Sequence, residues 1–173
     1  NGKAYSGERT EIGYNLKAGF SFNLNKENSV FVNGGKYSRQ PYLNNMFVRN
    51  TVTFVEPTVK NEEIQSVEAG YRYKTRTLRV NVNAYYTEWD NRADTYNDRD
   101  FTDANGLVHS NVRYLLNNLS QVHKGLEVDF DAKVTRDWTV RGYASAGDWR
   151  YQGDFTYQVQ DTDTQEIVAG TEN

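Results

Sequence analysis

Charged residues stand at alternate positions in several segments whose apolar residues also alternate. Alternate residues of a β-strand point to the same face of a sheet, so Asp129 and Asp131 would lie side by side. Paired carboxylates at that spacing could serve as a general acid and a general base. They could also simply line a wet, polar surface, and this is the interpretation that we favour. The residues concerned are Glu68, Arg72, Glu127, Asp129, Asp131 and Arg141.

A second group of acidic residues lies in the polar segment 90–106. Its last part, Asp103-Ala104-Asn105-Gly106, matches a fragment of a calcium-binding loop. The acidic spacing before the glycine and the closing glutamate of such a loop are missing. A solvated acidic loop is therefore favoured over a calcium site. The group comprises Asp90, Asp94, Asp98, Asp100 and Asp103.

Histidine and cysteine usage argues against a metal site or a cofactor. His109 and His123 are the only histidines, their spacing matches no metal-ligand motif, and the chain has no cysteine. The sequence contains no nucleophile elbow, phosphate-binding loop or basic nucleic-acid patch. We therefore expect no catalytic residues, no metal, no cofactor, no enzyme activity and no nucleic-acid partner.

Two tryptophans each precede a charged residue near the end of a predicted strand. These pairs are Trp89-Asp90 and Trp149-Arg150. Each ring could stack on a ligand while the adjacent charge orients it. Alternatively, each ring could anchor the chain at a membrane interface, which is the interpretation that we favour.

A long polar segment after Pro41 offers a third set of candidates. Tyr42 supplies a stacking face, and Asn44 and Asn45 supply amide donors and acceptors. These residues are candidate ligand contacts if the chain transports a ligand. The alternative is a polar loop that packs on its neighbours.

The elements that carry these residues are predicted by a period of two. Apolar side chains occupy every even position from Ile12 to Leu24, and a strand of that length spans roughly 43 Å. Strands of soluble domains average about 5–6 residues. A tilt of about 40° would give a span of roughly 33 Å along a membrane normal, which suits a transmembrane β-barrel. The same alternation predicts strands at about 9–25, 29–38, 64–74, 77–88, 122–134 and 138–149.

The links between the predicted strands are alternately short and long. Segments 25–28, 74–77 and 135–137 suit tight hairpins, whereas 39–63, 88–121 and 149–173 are long. Outer-membrane barrels combine short periplasmic turns with long extracellular loops. We therefore predict an all-β fold, an antiparallel transmembrane β-barrel domain over residues 1–173, located in the bacterial outer membrane.

Six strands are fewer than the roughly eight of the smallest membrane barrels, so we expect these residues to be one part of a larger polypeptide. The chain has 173 residues, a net charge of −3 and a mean hydropathy of −0.85. A barrel with a polar lumen is compatible with so polar a composition.

Two alternative functions remain. A passive porin would have the same barrel wall. A soluble adhesion or carbohydrate-binding β-sandwich, with the long loops as its binding edge, is a further alternative.

Four segments resemble the C-terminal half of the barrel of TonB-dependent outer-membrane receptors. They are Lys36–Phe47, Asn61–Tyr71, Val122–Phe130 and Gly147–Phe155. The resemblance implies active uptake of a bulky nutrient, such as a metal chelate, cobalamin or an oligosaccharide, through a plugged barrel. It also implies several partners: outer-membrane lipid, the rest of the barrel, a plug domain, an inner-membrane energy-coupling protein and a surface lipoprotein. The plug domain, the energy-coupling box and a terminal strand ending in an aromatic residue are not found in these residues.

Overall fold

The chain folds into one antiparallel sheet, in a computed structural model that describes residues 5–49, 51–56 and 58–170. Strands β1 to β5 are neighbours in chain order, β6 and β7 both pair with β5, and β8 pairs with β7. The predicted all-β antiparallel fold is confirmed. The elements are β1 Asn15–Asn23, β2 Asn28–Arg39, α1 Leu43–Met46, β3 Glu62–Lys74, β4 Leu78–Thr102, β5 Val108–Lys133, β6 Thr139–Gln152, β7 Thr156–Asp161 and β8 Ile167–Gly170.

The strand register separates apolar from polar side chains across the whole sheet. One row, running from β1 to β6, consists of Phe20, Val32, Ala69, Ala84, Leu126 and Ala146. The next row along the strands points to the other face and contains Asn33, Glu68 and Tyr85. We call these the apolar face and the polar face. The large side chains of the apolar face are exposed (78% for Phe20), so this face requires an apolar environment.

The apolar face forms a band of limited height. On β4 it runs from Leu78 to Tyr86, which is about 26 Å along the strand and roughly 20 Å along the normal of a tilted barrel. Charged residues follow on the same face, including Lys124, whose Nζ lies 3.5 Å from Oδ2 of Asp148. The band therefore has about the height of the roughly 25 Å apolar belt of an outer-membrane barrel.

Three tight turns lie together at one end of the sheet, which we call the turn end. Each is closed by a polar side chain that accepts backbone N–H groups. Oδ1 of Asn25 accepts from the amide of Asn28 at 2.9 Å, and Oγ1 of Thr75 accepts from the amide of Leu78 at 3.0 Å. Oγ1 of Thr135 accepts from Trp138 at 3.1 Å. These are the three hairpins predicted from the short polar links.

The opposite end differs from the prediction, because two of the three long links contain regular strands. Strands β4 and β5 continue past the apolar band to Thr102 and from Val108, and form a ribbon that extends roughly 45–50 Å beyond it. The last link contains β7 and β8, so the described residues form eight strands rather than six. The period of two is lost in the ribbon because bulges shift the register between Trp89 and Phe101.

The first strand is shorter than predicted. It begins at Asn15, paired with Tyr37, rather than at residue 9. The Ser38 amide still donates to the Tyr14 carbonyl at 2.8 Å. However, β2 ends at Arg39, so the alternation before Gly13 continues beyond the end of the neighbouring strand. Alternation thus indicates which face a side chain would take, but it does not indicate how far the neighbouring strand extends.

Left-handed residues line up across the sheet where the ribbon leaves the apolar band. They are Asn91 in β4, Asn118 in β5 and Gly153 between β6 and β7, with φ of 56°, 59° and 72°. The register places all three at one level, because Leu119 pairs with Arg92 and Asn117 pairs with Thr156. We call this line of bulges the crease. Bulges bend and twist a sheet, so the crease sets the direction of the ribbon relative to the band.

The left-handed backbone at the crease predicts a clear ranking of substitutions at Asn118. Asparagine and glycine tolerate positive φ, whereas a β-branched residue does not. We expect Asn118→Val to lower the free energy of unfolding of the ribbon by about 1–2 kcal/mol, and Asn118→Gly to change it little. Hydrogen exchange of the β5–β7 amides measures this. Equal protection in the two variants would contradict a strained backbone at Asn118.

The segment between β2 and β3 folds back onto the ribbon. Its apolar side chains Val55 and Val59 are buried against Leu115 of β5, and the rings of Phe47 and Phe54 stack with centroids 4.7 Å apart. The described residues of the polar segment predicted after Pro41 therefore form a cover over the ribbon, with a small core of their own; we call them the cover. Among the described residues, no helix is long and apolar enough to cross a bilayer.

Candidate ligand-facing site

The six charged residues singled out by their alternation share one face of the sheet. The register places each of them on the polar face, opposite the exposed apolar band. Strands β3, β5 and β6 carry them, and β4 lies between β3 and β5 in the same sheet. They are Glu68, Arg72, Glu127, Asp129, Asp131 and Arg141.

The carboxylates of this face are held by neutral or cationic neighbours rather than by each other. Glu68 accepts hydrogen bonds from the Asn83 amide and, at 3.4 Å, from the Asn33 amide. Asp129 accepts from the Asn81 amide at 2.8 Å. These hydrogen bonds make each carboxylate part of a network of polar side chains that crosses neighbouring strands.

Ion pairs complete the surface near the turn end. Nε of Arg141 lies 3.0 Å from Oδ1 of Asp131, and Arg79 contacts the other carboxylate oxygen. The guanidinium of Arg72 stacks over the ring of Phe31 at 4.3 Å from the centroid. The arrangement supports the interpretation of a wet polar lining and offers no pair of carboxylates placed for acid–base chemistry.

Four aromatic side chains lie next to one another on the polar face, at the ribbon end of the band. The ring centroids of Trp89 and His123 are 6.4 Å apart, and those of His123 and Trp149 are 6.1 Å apart. Nε1 of Trp149 donates to the hydroxyl of Tyr85 at 2.9 Å. We call these four residues the aromatic shelf. Trp149 is 66% exposed, so the shelf offers a broad aromatic surface for stacking.

Two glycines make room for the shelf. A Cβ on Gly125 would lie 2.7 Å from the Tyr85 hydroxyl, and one on Gly147 would lie 3.0 Å from it. Both positions lie under the tyrosine ring, so any side chain there would displace it. Gly125 lies within the segment Val122–Phe130 that carries the family resemblance, but its contact with Tyr85 depends on the pairing of β4 with β5. Tyr85 and His123 were not predicted as site residues, because the rings that they contact lie on neighbouring strands that are distant in the sequence.

The paired residues Trp89-Asp90 and Trp149-Arg150 do not act as units. Each tryptophan faces the polar side, whereas Asp90 accepts from the Ser120 hydroxyl at 2.7 Å and Arg150 lies near Asp148 on the opposite face. Adjacent strand residues point to opposite faces, which separates each ring from its charge. The same geometry corrects the favoured interpretation of the two rings as interfacial anchors, because an anchor must lie on the apolar face.

The predicted contacts after Pro41 are divided by the fold. Asn45 is buried (4% exposed); its amide donates to the Ala93 carbonyl at 2.9 Å, and its oxygen accepts from Thr95 Oγ1 at 3.2 Å. It is therefore a structural residue. Asn44 is exposed, and so is Tyr42, whose ring lies 5.1 Å from the Arg39 guanidinium. These two remain available to a ligand.

The acidic segment 90–106 does not gather into a cluster. Most of it runs along β4, where successive residues diverge, and the side chain of Asp98 lies outside the described residues. Oδ1 of Asp103 accepts hydrogen bonds from the backbone amides of Asn105 and Leu107, each with an N–O distance of 2.9 Å, and so caps the turn at the ribbon tip. The resemblance to a calcium loop thus reflects turn chemistry. Within the described ranges, no group of three or more histidine and acidic residues is placed to hold a metal ion.

One histidine joins the two hairpin tips of the ribbon. Nδ1 of His109 lies 3.1 Å from Oδ2 of Asp161 in the β7–β8 turn, and its Nε2 lies 3.7 Å from Oδ2 of Asp103. Backbone amides of the turns, with the imidazole, lower the pKa of both aspartates below their ordinary value of 3.8. The largest cause is the Leu107 amide for Asp103 and the Thr164 amide for Asp161.

These lowered pKa values predict acid sensitivity at the ribbon tips. A carboxyl group whose pKa is lower in the folded protein than in the unfolded chain stabilises the fold at any pH above its pKa in the unfolded chain. That stabilisation is lost as the pH falls through its pKa in the folded protein, which here lies below 3.8. We expect pepsin cleavage of the ribbon to accelerate below about pH 4, after correction for the activity of pepsin on an unfolded substrate. The Asp161→Asn variant keeps the acceptor oxygen and should show a flatter dependence on pH. Identical profiles would contradict the prediction.

An exposed apolar band, a polar opposite face and an ordered ribbon beyond the band define a sector of a transmembrane β-barrel wall. The family described as TonB dependent receptor-like, beta-barrel matches residues 4–173, and the chain belongs to it. The resemblance noted in the sequence is thereby confirmed. No curated protein and no solved structure matches the chain. The family consists of outer-membrane transport receptors rather than enzymes.

Proposed function

We propose that this chain forms part of the wall of an outer-membrane receptor that imports a bulky nutrient in a TonB-dependent manner. The observation that carries the proposal is the apolar band, which spans six strands and meets a continuous polar surface on the other face. On this proposal the apolar face contacts lipid and the polar face lines the lumen. The turn end faces the periplasm, and the ribbon projects outside the cell.

The proposed partners follow from the same orientation. Among the described residues, β1 and β6 each have one edge without a partner strand, and unpaired backbone groups are costly in lipid. Further strands would pair there and close the barrel. A plug domain would contact the charged polar face, and an inner-membrane protein would supply energy through it. A surface lipoprotein would approach the ribbon.

The aromatic shelf is the proposed contact for the arriving ligand. It lies where the polar face meets the ribbon, so a ligand captured outside would meet Trp149 before it enters the lumen. Trp89 belongs to the same shelf, and Tyr42 and Asn44 would extend this surface. Asp90 and Arg150, on the other face, would instead lie at the boundary between the lipid and the exterior.

The test begins with the native polypeptide, extracted from the outer-membrane fraction and weighed intact. We expect a mass several times 19.9 kDa, with additional strands and a plug domain. A mass near 19.9 kDa would contradict a receptor.

The second test concerns energy coupling. Nutrient uptake is compared before and after the proton gradient is collapsed. Uptake that stops supports energy-coupled transport, whereas uptake that continues identifies a passive porin.

A further inference from the structure

A small cavity lined mainly by polar residue types lies at the crease, separate from the aromatic shelf. Its volume is about 210 Å³, below the roughly 300–1,000 Å³ of sites for drug-sized ligands. It therefore has room for a single ring rather than for a bulky chelate. Apart from Val59, its lining residues are Thr58, Lys60, Asn91, Asn117, Asn118 and Thr156.

The cavity has a buried floor and an exposed rim. Val59 and Asn117 are buried, whereas Thr58, Lys60 and Asn118 are exposed. The floor and rim come from three separate parts of the fold: the segment before β3, the bulges of β4 and β5, and the first residue of β7. The cavity lies at the crease because the left-handed residues there interrupt the hydrogen-bonded pairing of the strands and leave a gap between them.

One buried polar group in the floor lacks a partner. Asn117 is 8% exposed, and its Oδ1 has no hydrogen-bond partner among the described residues. A buried acceptor without a donor costs stability, and such groups are rare in folded proteins. A ligand hydroxyl in the cavity would supply the missing donor.

The lining chemistry selects the class of ligand. Each asparagine amide and each threonine hydroxyl can both donate and accept, which matches a hydroxyl group that does the same. The described lining contains no carboxylate to hold a cation, and its one cation, Lys60, stands on the exposed rim. We propose that the crease cavity binds one ring of a neutral, polyhydroxylated ligand, that is, a sugar residue of an oligosaccharide. This proposal deepens the proposed receptor function and rests on it.

The experiment uses the full receptor, purified from the outer membrane in detergent. The probes are four neutral monosaccharides, namely glucose, galactose, mannose and xylose, observed by saturation-transfer NMR. We expect at least one sugar to bind, and Asn117→Leu to weaken that binding at least tenfold. The matched control is Asn97→Leu, which makes the same change at an exposed asparagine of β4 and should bind like the wild type.

Folding is controlled in the same samples. Asn117→Leu removes an unpaired buried carbonyl, so its thermal midpoint should equal or exceed that of the wild type. If that variant fails to fold, Thr156→Val provides the test, because it removes one lining hydroxyl and keeps the shape of the side chain. It should weaken sugar binding at least threefold.

Three results would overturn the proposal. The first is that none of the four sugars binds. The second is that sugar binding survives both substitutions. The third is that inorganic phosphate binds in the cavity and that Lys60→Gln abolishes this binding. The last result would indicate a site for anions. The intact mass and the energy dependence of uptake are measured independently, so a receptor that passes those tests but binds no sugar would refute only the cavity proposal.

Discussion

Replacing Ala144 by arginine is expected to destabilise the protein in a bilayer by about 2–4 kcal/mol. Ala144 lies in β6 on the apolar face, in a row with Val82 and Val128 near the middle of the band. A guanidinium at that depth would have to leave water or distort the lipid around it. The measurement is the free energy of unfolding in lipid vesicles, obtained from a guanidinium chloride titration.

The neighbouring residue provides the matched control. Ser145 is also small and exposed, but it points to the polar face, in a row with Glu127 and Asn83. Ser145→Arg should change the free energy of unfolding by less than about 1 kcal/mol, because the new charge stays in contact with water and lies near a carboxylate. Equal costs for the two arginines would mean that the apolar face does not meet lipid.

Removing the buried guanidinium of Arg113 is expected to release the cover that lies on the ribbon. Arg113 is 4% exposed and donates to the Phe47 carbonyl at 2.5 Å and to the Asn44 carbonyl. Burial, with a smaller contribution from Arg49, lowers its pKa. Hydrogen bonds from a charged group contribute about 1.5–3 kcal/mol each, so Arg113→Met should cost the cover roughly 3 kcal/mol or more.

The loss should be local, because the apolar band does not depend on this contact. Hydrogen exchange at the amides of Asn45, Val48 and Val55 reports opening of the cover, since each donates within it. We expect their protection to fall about 100-fold, while the β5–β6 amides in the band keep theirs. Arg99→Met, at an exposed arginine of β4, is the control. Unchanged protection of the three amides would show that Arg113 does not hold the cover.

The faces of the sheet were predictable from local sequence. A strand has a side-chain period of two, so alternation alone assigned Phe20, Ala84 and Leu126 to one face and Glu68 and Glu127 to the other. The tight turns were also predictable, because Asn25, Thr75 and Thr135 cap their own neighbours. The family could be recognised from the same strands and turns.

The ribbon was not predictable in this way, although its residues form regular ladders. Each bulge shifts the alternation by one residue, so the segment between Trp89 and Ser120 shows no sustained period. Its burial also depends on a distant segment, because Leu115 is covered by Val55 and Val59. A local pattern cannot indicate a cover that lies more than fifty positions away in the chain.

Local patterning therefore determined the wall of this protein, namely its strand faces, its hairpins and its polar lining. These features repeat within a few residues and need only the geometry of a strand. Tertiary structure alone decided the candidate sites. The aromatic shelf joins Tyr85, His123 and Trp149 from three strands, and the crease cavity joins Asn117 to Thr58 and Thr156. Such groups meet only when the register between strands is set, and the register is a property of the whole sheet.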